Sequence, residues 1–381
     1  MSMSSRCAPP VRPRDHESGP SSIPRPVSMP KIRRSSINAT TDRTDPRVLT
    51  TYPVEWPSVM FVDRQKMSRL RLVSSLFRQA RLADVVLLNG GVSMQHLYDE
   101  LLIAGALAHH HPHLPIVLAE CWWEAGSRHM NMLRQIQSPP AVDAPARYVG
   151  AATMARALKS IDHPAIHYCV AARSERSVFA SRWQIPQERV HFVPYHANAQ
   201  DERQRHSSSG VFAGGDTLRD YRPLLTAAPL ISAPIRIATR LRPPAVIPAN
   251  VEFGPASSAE YAELAASART VVVALRADAP RSAGQQTYLD SMLRGIPVVV
   301  TESMGVRDYV TPEVTGQVVQ PSPDALAAGI GRALIHGVDI EQMVIAARNV
   351  VLEKYTPERY SERLRSLCVQ LHDQRCGRLA R

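Results

Sequence analysis

The stretch from Arg281 to Tyr309, RSAGQQTYLDSMLRGIPVVVTESMGVRDY, constrains the fold of this chain more than any other part of it. It opens on the small residues Ser282-Ala283-Gly284 and continues from Gln285 to Arg294 with helical spacing. Leu289, Met292 and Leu293 share one face, while Gln286, Thr287, Asp290 and Arg294 gather on another. Gly295 stands where a helix closes in a left-handed residue, and Pro297-Val298-Val299-Val300 is a short, wholly apolar run of the kind buried in parallel sheets. Loop, helix, glycine and strand make half of an α/β unit. Small residues ahead of that helix let a phosphate reach the unsatisfied N–H groups of its first turn.

The same alternation runs through most of the chain. Strands are expected at 59–62, 84–88, 116–119, 166–171 and 190–193, with helices at 68–80, 94–108, 151–159 and 174–181 between them. A second series follows: strands at 211–213, 235–238, 251–253, 271–275 and 316–319, and helices from about 218, at 258–266, at 324–335 and at 357–371. Such alternation predicts α/β architecture with parallel sheets covered on both faces. The polar run 195–210, without apolar periodicity, is the expected linker between two Rossmann-like, doubly wound domains. The expected division is a tail at 1–49, a first domain at 50–200, a second at 201–355, and a last helix with its tail at 356–381.

Composition narrows the function. The 381 residues carry a net charge of +11, with 44% hydrophobic and 21% charged residues, as in a globular protein. Residues 1–49 hold nine basic against four acidic residues, are rich in Pro, Ser and Arg, and have too few large apolar residues to offset the entropy of ordering. They are expected to be disordered and removable without loss of stability. No aromatics are interleaved with those cations, so no specific nucleic-acid partner is expected. The basic excess that remains in the folded part suits peripheral contact with a membrane surface. Five scattered cysteines without a CxxC pair, and no apolar leader near Met1, point to a reducing, cytoplasmic setting. The sequence leaves the oligomeric state open.

The 282–299 segment resembles the donor site of the retaining glycosyltransferases of family four (glycosyltransferase group 1), which have the GT-B fold: two Rossmann-like domains facing across a cleft. The family pattern reads Glu, seven residues, Glu, then Ala-Met-Ala-x-Gly-x-Pro-Val-Val. Here Ser291-Met292-Leu293-Arg294-Gly295-Ile296-Pro297-Val298-Val299 follows its second half. Asp290 stands in the second Glu slot and Ser282 in the first. The resemblance implies transfer of a sugar from a nucleotide-diphosphate sugar to a carbohydrate or other hydroxylated acceptor, with retention. It implies neither a metal nor a resident cofactor. It assigns ribose binding to Asp290, and it departs from the family at Ser282, because the family's first Glu contacts the transferred sugar. A non-catalytic nucleotide-sugar-binding protein and a nucleotide-sugar epimerase are alternatives on the same fold.

Each candidate residue also has a plainer role. Gly214-Gly215 with Arg219 occupies the family's place for diphosphate binding, and an Arg fork suits two phosphates; the plainer role is a tight turn with a surface Arg paired to Asp216. Ser282, Gly284, Gln285 and Gln286 are expected to face the donor's diphosphate and sugar, or Ser282 simply caps the helix. Asp290 could instead pair with Arg294 one helical turn on. Glu120 ends an expected strand, where parallel-sheet enzymes place their ligands, and is the candidate catalytic residue; capping would serve it as well. Trp122 and Trp123 could stack on an acceptor sugar or fill the core. His109-His110-His111 and His113 close a helix, a commoner use than metal binding.

Overall fold

The computed structural model describes residues 45–91, 99–123, 156, 158–199, 210–335 and 337–379. The expectations for residues 1–44, for the start of the helix at 94, for most of the helix at 151–159 and for linker residues 200–209 lie outside that set.

The described chain contains two six-stranded sheets, and every strand pairing in them is parallel. The first has the order β2-β1-β3-β4-β5-β6, built from β1 (Val48–Thr50), β2 (Val59–Phe61), β3 (Val85–Asn89), β4 (Ile116–Ala119), β5 (Ile166–Val170) and β6 (Val190–Phe192). Its helices include α1 (Arg69–Ala80), α2 (Asp99–His110) and α3 (Glu175–Trp183). The second has the order β12-β11-β10-β7-β8-β9, from β7 (Val211–Gly214), β8 (Ile235–Ala238), β9 (Val251–Gly254), β10 (Thr270–Val273), β11 (Val298–Thr301) and β12 (Gln317–Val319). Its helices are α4 (Arg222–Ala227), α5 (Ser258–Ser267), α6 (Gln285–Arg294), α7 (Pro323–Leu334) and α8 (Val338–Lys354). The last helix, α9 (Pro357–Leu379), returns to the first sheet, where the Arg375 guanidinium donates to the Asp84 carbonyl at 3.1 Å and the Trp56 indole donates to Ser361 Oγ at 2.6 Å.

The second sheet shows why apolar runs, rather than alternating ones, mark these strands. Val271, Val273, Val298 and Val300 enter one core with Leu289 and Met292 of α6. Their neighbours Val272 and Val299 face the opposite way, into a second core with Leu326 and Ile330 of α7. Side chains alternate across a strand, so a sheet covered on both faces needs apolar residues at every position. α6 spans the residues expected of it. Its apolar face is buried, and Gly295 closes it at φ 77°, a left-handed value that a side chain would strain.

The expected tail runs too far. Residues 48–50 form β1, which lies between β2 and β3, and Leu49 is fully buried. Asp84 holds the entry to that strand by accepting from both the backbone and the guanidinium of Arg47. The segment's Pro, Arg and Ser content hid a strand of only three residues. α8, not expected from the sequence, buries Met343, Ala347 and Val351 at four-residue spacing.

The two-sided burial of Leu49 sets an expectation. Leu49→Ala lowers stability by ~2–4 kcal/mol, the usual cost of emptying a well-packed core site, as measured by urea denaturation. An unchanged unfolding midpoint would remove β1 from the core.

Candidate active site

The two sheets meet at the carboxyl ends of their strands. The Tyr309 hydroxyl, beyond β11, donates to the Ala171 carbonyl, just beyond β5, and accepts from the Tyr195 backbone at 2.9 Å. Beside it the Arg173 N–H donates to Asp308 Oδ2 at 2.8 Å. Gly305 allows the approach: a Cβ there would lie 2.5 Å from the Ala172 Cβ and 3.0 Å from the Ser282 Cβ. Parallel-sheet proteins place ligands at these strand ends.

On the second domain's side, β7 runs into Gly214-Gly215. A Cβ at Gly214 would strike the Tyr261 ring at 2.5 Å, and Gly215 turns at φ 104°. The buried Arg219 comes back over this turn. It donates from Nε to the Gly214 carbonyl at 3.1 Å, from Nη1 to the Thr217 carbonyl at 3.0 Å and from Nη2 to Thr287 Oγ1 at 3.4 Å. Asp216, the partner expected for it, accepts instead from Thr239 and Arg240, and these bonds hold its carboxyl below the usual range against the cost of burial. Among the described residues, then, Arg219 bonds to neutral oxygens and to no carboxylate. Its guanidinium lies 3.1 Å from a Cβ placed on Gly215 and 3.5 Å from one placed on Gly284.

Gly284 is the N-cap of α6, at φ 86°, and no side chain caps the helix. The structure thus gathers Gly214, Gly215, Arg219 and Gly284 around one helix start, with Thr287, which the sequence reading did not select. Gln285 is buried and Gln286 exposed.

Ser282 is not the helix cap. Its hydroxyl donates to Glu175 Oε2 at 2.6 Å, and both residues are buried. Glu175 opens α3 in the first domain, so the bond joins the two domains. Burial pushes the Glu175 carboxyl above the usual carboxylate range, with the Ser282 bond and Arg281 opposing. No local pattern in the sequence marked Glu175.

Asp290, expected at a ribose, has Oδ1 engaged by the backbone N–H groups of Asn198 (2.6 Å) and Ala199 (2.9 Å). Burial raises its carboxyl, and those two N–H bonds oppose the shift. Asp290 thereby pins the chain that joins the domains.

Glu120 follows β4 at φ 57°, an uncommon value for a residue with a side chain. Its Oε1 accepts from the Tyr52 hydroxyl at 2.6 Å. Burial pushes its carboxyl up to about 7, although the Tyr52 bond and the nearby Arg64 pull the other way. Trp122 is half-buried, edge-on to Tyr195 with centroids 5.0 Å apart. Trp123 is not an acceptor platform. It packs in the first-domain core against Tyr168, Phe179 and Trp183 and donates to the Gly90 carbonyl at 2.8 Å. The histidines that close α2 have structural partners: His109 Nδ1 lies 2.8 Å from the Gly105 carbonyl and its ring 5.5 Å from that of His163, while His110 meets Phe77 edge-on at 5.4 Å. Among the described residues no group of three or more His, Cys, Asp or Glu could hold a metal ion.

Two parallel, Rossmann-like sheets joined at their carboxyl ends define the GT-B class. Residues 236–336 match the family described as "Glycosyl transferases group 1". Solved structures of the same fold include sucrose-phosphate synthase from Thermosynechococcus elongatus (15% identity, TM-score 0.51, covering 84% of this chain and 82% of that one). Anabaena HepE in complex with UDP-glucose is another (14% identity, TM-score 0.50, 84% and 85%). A Rickettsia africae glycosyltransferase is a third (10% identity, TM-score 0.50, 82% and 84%). No curated protein matches by sequence.

The Glu120 environment predicts a pH signature. Its folded pKa of about 7 exceeds the ordinary 4.5, so the protonated form is favoured in the folded state; the associated stability is full below 4.5 and lost as pH rises through 7. Glu120→Gln therefore raises stability at pH 8, by an order of ~1–3 kcal/mol, and changes it little near pH 4. Urea denaturation at both pH values checks this; equal shifts at the two would refute it.

Proposed function

We propose that this protein transfers a hexose-type unit from a nucleoside-diphosphate sugar to a carbohydrate or other hydroxylated acceptor, with retention at the anomeric carbon. The observation that carries the proposal is Arg219: a buried guanidinium with no carboxylate partner among the described residues, held by two carbonyls and a hydroxyl beside an uncapped helix start. Fixed donors of this kind stabilise an anionic leaving group as its charge develops. The bond between the sugar's C1 and the phosphate oxygen breaks, the diphosphate departs against Arg219 and the first N–H groups of α6, and the acceptor oxygen bonds to C1.

The acceptor's proton must leave, and Glu120 is the candidate to take it. A carboxyl poised at about 7 can exchange a proton at neutral pH, which an ordinary one does poorly. Trp122 would flank the acceptor. Asp290, with Oδ1 on the linker, would reach the ribose through its other oxygen. The domain contact at 171–175 and 305–309 would exclude water from the donor bond. We place the reaction in the cytoplasm, in keeping with the free cysteines among the described residues, and assign it no metal and no nucleic-acid partner.

One observation favours a second reading, a non-catalytic nucleotide-sugar binder: the hydroxyl of Ser282 is already taken by Glu175, and both are buried. A screen of nucleotide sugars for release of the nucleoside diphosphate, with and without glycan acceptors, decides between them; isomerised sugar without transfer would indicate an epimerase instead.

Two substitutions sharpen the test. Arg219→Ala weakens nucleoside-diphosphate binding by ~1.5–3 kcal/mol, the range for a charged hydrogen bond, and leaves the free nucleoside unaffected in calorimetry. Equal loss for both ligands would put Arg219 elsewhere. Ser282→Glu brings a second carboxylate against Glu175, and two buried carboxylates resist joint ionisation. In the transferase, turnover falls and Glu175→Gln in the same chain restores part of it. If wild type shows no turnover and the Glu variant only binds nucleotide sugar more tightly, the binder reading stands.

A further inference from the structure

At the amino ends of β5 and β6, the end of the first sheet away from the site described above, two histidines stand side by side. His167 is the second residue of β5 and His191 the second of β6. The strands are parallel neighbours with Cys169 opposite His191, and side chains alternate along a strand, so both imidazoles point to one face. His167 Nδ1 lies 3.0 Å from His191 Nε2, with ring centroids 5.2 Å apart. Both residues are half-buried and line a cleft of about 800 Å³. Gln370 and Gln374, exposed and one helical turn apart on α9, line it too. Arg189 borders the cleft, but its charge is offset by Asp162 at 2.5 Å.

Two ring nitrogens at this separation need a proton on one and a lone pair on the other. When the donating ring carries its proton on the outer nitrogen instead, both lone pairs face the same point. Two imidazole nitrogens each ~2.1 Å from one ion lie about 3.0 Å apart at a right angle and about 3.4 Å apart at the tetrahedral angle. The pair therefore accepts an ion with little movement of two strands that the sheet already holds in place. The plainer role, a hydrogen bond between packed rings, accounts for the contact but not for an open cleft of ligand-site size beside it. Among the described residues no third His, Cys, Asp or Glu completes a cluster with the pair, so amide oxygens and water must fill the other positions. Such a donor set favours ions that prefer imidazole, such as Zn²⁺, Ni²⁺ and Cu²⁺, over Mg²⁺ and Ca²⁺, which seek several carboxylate oxygens.

We propose that His167 and His191 bind a divalent transition-metal ion in this cleft, with a side-chain oxygen of Gln370 or Gln374 and water completing its coordination. The ion takes no part in sugar transfer, so the site stands or falls independently of the function proposed above. The test is calorimetric titration of the full chain, first stripped with a chelator, with zinc, nickel and magnesium chlorides. Wild type binds Zn²⁺ and Ni²⁺ but not Mg²⁺, and His167→Gln and His191→Gln each weaken the binding by roughly tenfold or more. Circular dichroism follows the fold of each variant. If the loss variants unfold, Gln370→His and Gln374→His decide, because both positions are exposed on a helix. A third imidazole in the cleft tightens binding by roughly tenfold or more in at least one of them. Other groups also attract these ions: the histidines at 109–111, and the His372–Cys376 pair, whose Nε2 and Sγ lie 3.6 Å apart. Binding that persists in the His167 and His191 variants and is lost with Cys376→Ala, or with His109→Gln and His111→Gln together, overturns the proposal. So does a wild type that binds neither Zn²⁺ nor Ni²⁺, and so does a failure of both added histidines to tighten binding.

Discussion

One buried hydroxyl ties the molecule together. Tyr309 donates to the end of the first domain's β5 and accepts from the chain that leaves that domain, while its ring packs against Tyr288 and Tyr355 in the second. An unsatisfied hydroxyl in that position would cost more than its bonds return, so the end of β5 and the chain leaving the first domain must both be in place against it. The Arg173–Asp308 and Ser282–Glu175 contacts extend the same seam. Asp290 adds the linker to it. Specific polar bonds therefore hold the two sets of strand ends together.

The charge pattern beside that seam is asymmetric. Asp216, Asp220 and Glu302 each take an arginine partner, respectively Arg240, Arg222 and Arg307. Arg219 has none, although Asp216 lies only three residues away in sequence. A carboxylate on Arg219 would cancel the positive field beside this helix start, the field on which the proposed diphosphate site rests. The two positive-φ glycines serve the same end, since side chains at Gly215 or Gly284 would crowd the guanidinium. Turn geometry and anion chemistry make the same demand on these positions.

The sequence revealed most where local physics decides structure. β4 and α6 coincide with their expected limits because an apolar run or a clear stripe needs no distant partner to be recognised. β1 was misplaced because three residues carry little periodicity, and only pairing with β2 and β3 gives them a role. α8 was missed because its buried stripe is blurred by exposed Val338, Ile345 and Leu352. Near the site, the glycine turn after β7 was legible as a turn between a strand and a helix. Tyr52 and Glu175 were not. Tyr52 is 68 residues from the carboxylate it bonds, and Glu175 is 107 residues from Ser282. The tryptophan pair shows the same limit: adjacent in sequence, one ring fills the core and the other borders the interdomain chain.

Ser282 and Glu175 are best understood together. The departure from the family pattern at 282 exchanges a long acidic side chain for a short hydroxyl. The structure shows what occupies the space gained: a carboxylate reaching across from the other domain. A glutamate at 282 would meet Glu175 in a buried setting, and two such charges cannot both persist there. A serine turns that conflict into a hydrogen bond. The carboxylate is thus still beside residue 282, but it belongs to α3 and arrives only when the domains are in contact. Any role it has toward a sugar would depend on that contact, which links the chemistry of the site to the seam held by Tyr309.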